Sequence, residues 1–461
     1  MPLIKSISGF RGTIGGKINE NLTPIDTVKF AAAYGSWLAS TNHPGTKLKV
    51  VIGRDARISG EMINNLVCAT LMGLGIDVID LGLSTTPTVE VMVTQLNADG
   101  GIIITASHNP KQWNALKLLN AKGEFLPHED AEMVLKIAEK DDYIFAEVDD
   151  LGNYSENKKG IDIHTDMILD LPLVNTKGIA KKKFKVVIDA VNSTGGIAVP
   201  VLLDKLGVEY VKLHCTPNGQ FPHNPEPLKE HLTEISQKVV EENADFGIVV
   251  DPDVDRLALI SENGEMFGEE YTLVAVADYV LSKTPSTAVS NLSSTRALRD
   301  IAEKYNQRYE ASAVGEVNVV VKMKETGAKI GGEGNGGIIY PELHYGRDSL
   351  VGIALFLSHL AEKDISVSQL RDTYPNYFMG KKKIELTTDI NVDELLDRMF
   401  HKYKNEEIST VDGIKIDFEN SWVHMRKSNT EPIIRIYTEA PSQQEADHLG
   451  EKFISELKSM T

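Results

Sequence analysis

The sequence predicts three similar α/β domains followed by a smaller C-terminal α+β domain, and three observations lead there. A strand–helix–strand unit, opened by a short β-branched run, occupies residues 49–79, returns at 185–211 and returns in weaker form from Thr287. The chain has 461 residues, too many for one hydrophobic core, and that length corresponds to roughly three or four domains. Beyond the lysine run Lys381-Lys382-Lys383 the alternation of units gives way to short strands and two helical stretches. Repeated units of this kind argue for largely parallel sheets covered on both faces.

In the first unit, Lys49-Val50-Val51-Ile52-Gly53 reads as a strand, residues 54–60 as a loop, 61–74 as a helix and Gly75-Ile76-Asp77-Val78-Ile79 as the next strand. Gly101-Ile102-Ile103-Ile104 is a further buried strand. The second unit runs from the strand Lys185-Val186-Val187-Ile188-Asp189 through a loop at 192–196 into a helix ending near Leu206, then a strand at 207–211. Gly75 and Gly207 suit the C-caps of the two helices. Phe246-Gly247-Ile248-Val249-Val250 is a strand, and the third copy starts with Thr287-Ala288-Val289-Ser290 and a helix from near Ala297 to Tyr305. A polar, acidic stretch at 147–159, a hairpin turn at 261–268 and the segment 371–383, with Pro375 and Gly380, mark the breaks. They place the domains at 1–155, 156–260, 261–374 and 375–461. In the last, 384–386 and 414–418 read as strands and 392–400 and 443–457 as helices, with Ser442 and Glu445 forming a capping box.

The formal charge is −18, which gives no general field for attracting nucleic acid or an anionic membrane. An anionic substrate therefore has to be met by local arginines. The N-terminus lacks an apolar signal core and no apolar run is long enough to cross a bilayer. The expectation is a cytoplasmic enzyme with no membrane or nucleic-acid partner; its oligomeric state is not specified. Cys68 and Cys215 lack ligand-like spacing and read as buried filler, not as zinc ligands or a disulfide framework.

Four segments carry chemistry. Thr105-Ala106-Ser107-His108-Asn109-Pro110 follows the strand at 101–104, putting a hydroxyl beside an imidazole at a strand end, where ligands collect in open α/β sheets. Pro110 disfavours helical dihedrals at Asn109 and should keep this segment extended. Asp251-Pro252-Asp253-Val254-Asp255-Arg256 follows the strand at 246–250, and its three alternate carboxylates suit Mg²⁺. An EF-hand is rejected, because Arg256 stands where glycine is needed and a strand precedes the loop. Gly331-Gly332-Glu333-Gly334-Asn335-Gly336-Gly337 contains a formal G-x-G-x-x-G, but Ile338-Ile339-Tyr340-Pro341 is strand-like, so no helix opens for a dinucleotide. Its carboxylate and amide suit sugar hydroxyls instead. Arg426-Lys427-Ser428-Asn429-Thr430-Glu431-Pro432, between strand-like runs at 422–425 and 433–437, gathers donors for a phosphate dianion, joined by Arg435. Two single residues add to these. Arg11 sits between glycines in Ser8-Gly9-Phe10-Arg11-Gly12, and Lys117 projects from the apolar run 115–119, where desolvation should lower its pKa toward acid/base work.

Together these loops, in this order, resemble the α-D-phosphohexomutases: phosphoglucomutase, phosphomannomutase and phosphoglucosamine mutase. The resemblance spans the chain and implies four domains, three of them mixed-sheet α/β, around a central cleft. It implies that Ser107 is the phosphoserine and, with Asp251, Asp253 and Asp255, a Mg²⁺ ligand. Arg11 and Arg256 would contact phosphate near it, with His108 beside the serine and Lys117 as general acid/base. Glu333 would bind the sugar, and Arg426, Ser428, Asn429, Thr430 and Arg435 would hold the non-reacting phosphate; Asn335 joins Glu333 as a sugar-binding candidate on its amide chemistry alone, since the family's contact at that position does not carry over. The family's sugar loop commonly runs Gly-Glu-x-Ser-Gly, often followed by histidine, whereas Asn335 and Gly337 stand at those positions here; this version is similar to an archaeal-type branch.

The expected activity is interconversion of 6-phospho and 1-phospho sugars through a phosphoserine and a sugar bisphosphate that also serves as activator, with Mg²⁺ as cofactor and a small phosphosugar as partner. Phosphoglucosamine mutase is the leading substrate assignment, and phosphoglucomutase/phosphomannomutase of broad specificity the alternative. From other classes, a Mg²⁺-dependent phosphatase and an inactive phosphosugar-binding protein stay open.

Overall fold

The computed structural model describes residues 3–6, 9–43, 45–385, 391–427 and 433–460. The chain gathers into two units, Met1–Tyr279 with Asn335–Leu370, and Val280–Gly334 with Arg371–Thr461.

The first unit holds a seven-stranded mixed sheet in the order Ile4–Ser6, Gly9–Thr13, Trp113–Leu119, Gly100–Ile104, Lys49–Arg54, Asp77–Leu83, Tyr154–Glu156. Lys49–Arg54 runs parallel to Asp77–Leu83 and Gly100–Ile104, while Trp113–Leu119 is antiparallel to both its neighbours. One face is buried under helices Pro24–Thr41, Gly60–Gly73 and His128–Lys140, the other under Thr86–Gln95. Gly9 is required where Gly9–Thr13 meets its partner: its φ is +106° and a Cβ there would lie 2.1 Å from the Leu116 carbonyl oxygen. A four-stranded sheet follows, with Lys185–Asp189 parallel to Glu209–Leu213 and Phe246–Val250, and Leu257–Ser261 antiparallel at the edge.

Element boundaries shift from expectation for identifiable reasons. The strand expected from Gly75 begins at Asp77, because the amides of Leu74 and Ile76 both return to the Leu71 carbonyl and extend the helix stop. Likewise Gly207 caps Gly195–Leu206 in the left-handed region, so the next strand waits until Glu209. Ser442 accepts from the Glu445 amide and donates its hydroxyl to Oε2 of Glu445, a variant of the expected box. Cys68 is buried but Cys215 only half so, and both are free thiols pushed up to about 12 by burial. Among the described residues no helix is long and apolar enough to cross a membrane.

In the second unit, Tyr309–Ser312, Ala288–Asn291 and Ile330–Glu333 lie parallel. A five-stranded antiparallel sheet, ordered Phe378–Glu385, Ile433–Ala440, Trp422–Lys427, Ile414–Asp417, Glu407–Ser409, packs against helices Val392–Lys402 and Gln443–Ser459. Arg296 ties the two parts: its guanidinium reaches the Asp417 carboxylate and the carbonyls of Phe418, Glu419 and Ser421, and its amide meets Glu439.

Candidate functional site

Ser107 does not sit in an extended segment. Its φ is +47° and the Asn109 amide closes onto the Ala106 carbonyl at 3.0 Å, so the chain turns at the serine itself. A left-handed non-glycine residue is costly and persists where its surroundings hold it. Here Arg57 holds it. That buried guanidinium donates to the carbonyls of Ser107, Asn109 (2.6 Å), Pro110 (2.8 Å) and Trp113 (3.0 Å), while its Nε pairs with Asp55 at 2.9 Å. Asp55 also accepts from the Thr105 hydroxyl at 2.7 Å.

The Asp251–Arg256 loop is set by a second left-handed residue, the buried Val254 at φ +65°, and by the hydroxyls of Ser193 and Thr194 on the Pro252 carbonyl. Ser107 Oγ donates to Asp251 Oδ2 at 2.9 Å, and Asp251 Oδ1 accepts the amides of Asp255 and Arg256. Asp253 Oδ2 accepts from Lys117 Nζ at 2.7 Å and Thr86 Oγ1 at 2.6 Å; Asp255 Oδ2 accepts from Arg347 at 2.6 Å and Lys117 at 3.5 Å. The other oxygens, Asp253 Oδ1 and Asp255 Oδ1, are buried without a hydrogen-bond partner. The three carboxylates offer ligand atoms within 4.8 Å of one another. Two orphaned anionic oxygens beside a third carboxylate and a serine hydroxyl fit a hard divalent cation.

The electrostatics agree. Burial and the neighbouring Asp255 and Asp253 raise Asp251 well above the usual carboxylate range and outweigh the lowering by Arg256. Asp253 is buried too, yet Lys117 draws it below that range. Lys117 departs from expectation: burial lowers its pKa, but Asp253 and Asp255 outweigh burial and the net shift is upward. His108 is held well below its ordinary value by burial and by Arg256, Arg11 and Arg347, so it is neutral, with Nδ1 3.4 Å from Ser107 Oγ. Arg11 donates to Asn109 Oδ1 at 2.8 Å and Arg256 to Glu226 at 3.3 Å.

The first unit therefore brings together Ser107, His108, Lys117, Arg11, Asp251, Asp253, Asp255 and Arg256, and also contains Asn335, whose Oδ1 accepts the Gly337 amide at 3.2 Å. No helix opens at the Gly-rich segment; a turn at 334–336 leads into the strand Gly337–Ile339. Glu333 belongs to the second unit, where its Oε1 accepts from Asn291 at 2.8 Å and the Gly315 amide at 3.1 Å. Arg426 and Arg435 also lie there, directly opposite on paired strands, with Lys383 opposite Arg435 on the far side. Ser428, Asn429 and Thr430 lie outside the described residues. Like charges directly opposite on neighbouring strands repel one another.

Sequence reasoning missed Arg57, Asp55, Thr86, Glu226 and Arg347. A usable signal existed for the first two: Arg54-Asp55-Ala56-Arg57 follows a buried strand just as Ser107 does. Thr86, Glu226 and Arg347 have no local pattern and are found only by contact.

Four parts of the phosphoglucomutase/phosphomannomutase family match in chain order: α/β/α domain I over 5–144, domain II over 162–264, domain III over 268–377 and the C-terminal domain over 382–456. A phosphoglucomutase/phosphomannomutase of Thermococcus kodakarensis is 35% identical over 458 residues, covering 96% of this chain and 98% of its own. A phosphoglucosamine/phosphogalactosamine mutase of Sulfurisphaera tokodaii is 31% identical, covering 97% and 98%. The crystal structure of a phosphoglucomutase/phosphomannomutase family protein from Burkholderia thailandensis superposes with a TM-score of 0.85 at 26% identity, covering 99% of this chain and 98% of that one. With the four-domain α/β architecture and both halves of the chain matched, this protein belongs to the phosphoglucomutase/phosphomannomutase family and is a phosphohexomutase.

Proposed function

We propose that this chain works in the cytoplasm, interconverting 6-phospho and 1-phospho sugars by way of phosphorylated Ser107 and a sugar bisphosphate, with glucosamine phosphate the preferred substrate. The observation that carries this reading is the Ser107 hydroxyl lying 2.9 Å from Asp251 beside two carboxylates that each keep a buried oxygen unpartnered. Ser107, Asp251, Asp253 and Asp255 would hold Mg²⁺, which when bound offsets phosphoryl charge and polarises the phosphorus–oxygen bond.

Transfer breaks the bond from phosphorus to Ser107 Oγ as the bond to the sugar oxygen forms. Lys117, charged at rest, gives its proton to Ser107 Oγ and takes up the one lost by the sugar hydroxyl. Arg11 and Arg256 offset the repulsion between a phosphoserine, carrying about −1.5 to −2 charges, and an incoming phosphosugar. His108, neutral beside the serine, orients its oxygen. Arg426, Ser428, Asn429, Thr430 and Arg435 hold the phosphate that does not react, and the bisphosphate turns over before the second transfer returns a phosphoryl group to Ser107. Positioning and charge stabilisation supply most of the catalysis. The four domains are taken at 1–155, 156–260, 261–374 and 375–461.

The sugar preference rests on Glu333. Its carboxylate is oriented by Asn291 and Gly315, and an ammonium at carbon 2 gains a charge-assisted bond there that a hydroxyl does not. Asn335 contributes through its amide nitrogen, its carbonyl being engaged by Gly337. The relative from Thermococcus kodakarensis, named for glucose and mannose phosphates, supports broad specificity as the second reading. Mass spectrometry should find phosphate on Ser107, and a parallel mutase assay with glucosamine, glucose, mannose and N-acetylglucosamine phosphates should rank glucosamine first. A preference for glucose or mannose phosphate would sink the glucosamine assignment alone.

A further inference from the structure

Arg347 stands just before helix Ser349–Lys363 and is only 8% exposed. Its Nη2 donates to Asp255 Oδ2 at 2.6 Å, while Oδ1 of the same carboxylate is buried without a hydrogen-bond partner. Its stem has room because residue 337 is glycine: a Cβ there would lie 2.3 Å from Arg347 Cδ. The segment presenting Arg347 is anchored from below. Asp348 accepts the Leu350 amide at 2.8 Å, His164 Nε2 at 3.0 Å and His344 Nε2 at 3.4 Å, and His344 pairs with Glu90 at 3.2 Å. A long side chain with two of its neighbours fixed in this way has lost its freedom before substrate arrives.

We propose that Arg347 is a positioning residue for phosphoryl transfer, holding Asp255 by Oδ2 so that Oδ1 is left to the cation, and that Gly337 is the residue that admits it. This rests on the phosphohexomutase reading of the carboxylate cluster. The sign of one measurement separates positioning from charge. Removing a bare positive charge beside a carboxylate strengthens cation binding, whereas releasing a ligand from its support weakens it.

The test is Mn²⁺ binding by electron paramagnetic resonance on the full chain, with mutase kinetics and thermal melting in parallel, for wild type, Arg347→Met, Gly337→Ala and the double variant. Arg347→Met should bind Mn²⁺ about 10- to 100-fold more weakly and lose kcat by a similar factor. KM for the phosphosugar should change by less than about threefold, since the loss is not one of substrate binding. Gly337→Ala should move in the same direction by displacing the stem, and the double variant should be no worse than Arg347→Met, as expected of two changes acting through one contact. Unchanged or tighter Mn²⁺ binding in Arg347→Met overturns the proposal. If that variant does not fold, Gly337→Ala decides: weaker binding upholds the proposal and unchanged binding overturns it. Wild type that neither binds Mn²⁺ nor turns over phosphosugars defeats the phosphohexomutase reading, and the proposal with it.

Discussion

Ser107 and Arg57 divide the work of one turn between chemistry and structure. The Ser107 hydroxyl meets Asp251 at 2.9 Å and His108 Nδ1 at 3.4 Å, neither of them part of a hydrophobic core, so Ser107→Ala should melt within a few degrees of wild type. Its turnover should fall by about three orders of magnitude or more even with sugar bisphosphate supplied, because the covalent relay is gone. Near-normal turnover in that assay would remove Ser107 from the mechanism. Arg57 makes the opposite case. Arg57→Met removes a donor from four carbonyls and leaves Asp55, already raised by burial, without its cation. Loss of one partner from a buried pair costs about 3–5 kcal/mol, which denaturant unfolding would register. A cost below about 1 kcal/mol would mean that water replaces the guanidinium.

At the scale of elements, strand ends and their loops explain both what the sequence revealed and what it hid. Gly101-Ile102-Ile103-Ile104 and Phe246-Gly247-Ile248-Val249-Val250 announced their strands because runs buried on both faces are apolar throughout, and the residues after them are where chemistry collects. The Lys383–Arg435–Arg426 row was only half legible, since the arginines were visible as residues but their alignment depends on a register between strands distant in sequence. Arg347 was not legible at all: its partner Asp255 is 92 residues away. Lys117 was misjudged in sign for the same reason, its two carboxylates lying 136 and 138 residues on. For the cation row, Arg435→Met should raise KM for phosphosugar about 10-fold or more while kcat falls less, the pattern of a lost binding contact. Equal losses in both would place Arg435 elsewhere in the mechanism.

Over the whole molecule, buried ion pairs tie distant segments, and pH should read them out. His344 is raised to about 10: burial lowers it, but Asp348 and Glu90 prevail, and Asp348 is itself held below its ordinary value by His164 and His344 despite burial. A histidine raised above its unfolded value contributes stability that is fully present below that value and lost as pH climbs through the folded one. His344→Gln should therefore destabilise by about 1.5–3 kcal/mol at pH 6, and the gap to wild type should narrow toward pH 10, measured by urea unfolding at each pH. A gap independent of pH would mean that His344 is neutral in the native protein. The Ser107–Asp251 contact has a consequence of another kind. In the unphosphorylated chain the hydroxyl is a donor and Asp251 its acceptor, but a phosphoserine has no proton to give at that oxygen and meets the carboxylate as a like charge. If Ser107 carries the phosphoryl group as proposed, each loss of it to water would let the serine latch onto Asp251. An enzyme idle long enough to be hydrolysed would wake slowly, with a lag in its progress curve that shortens as sugar bisphosphate is added.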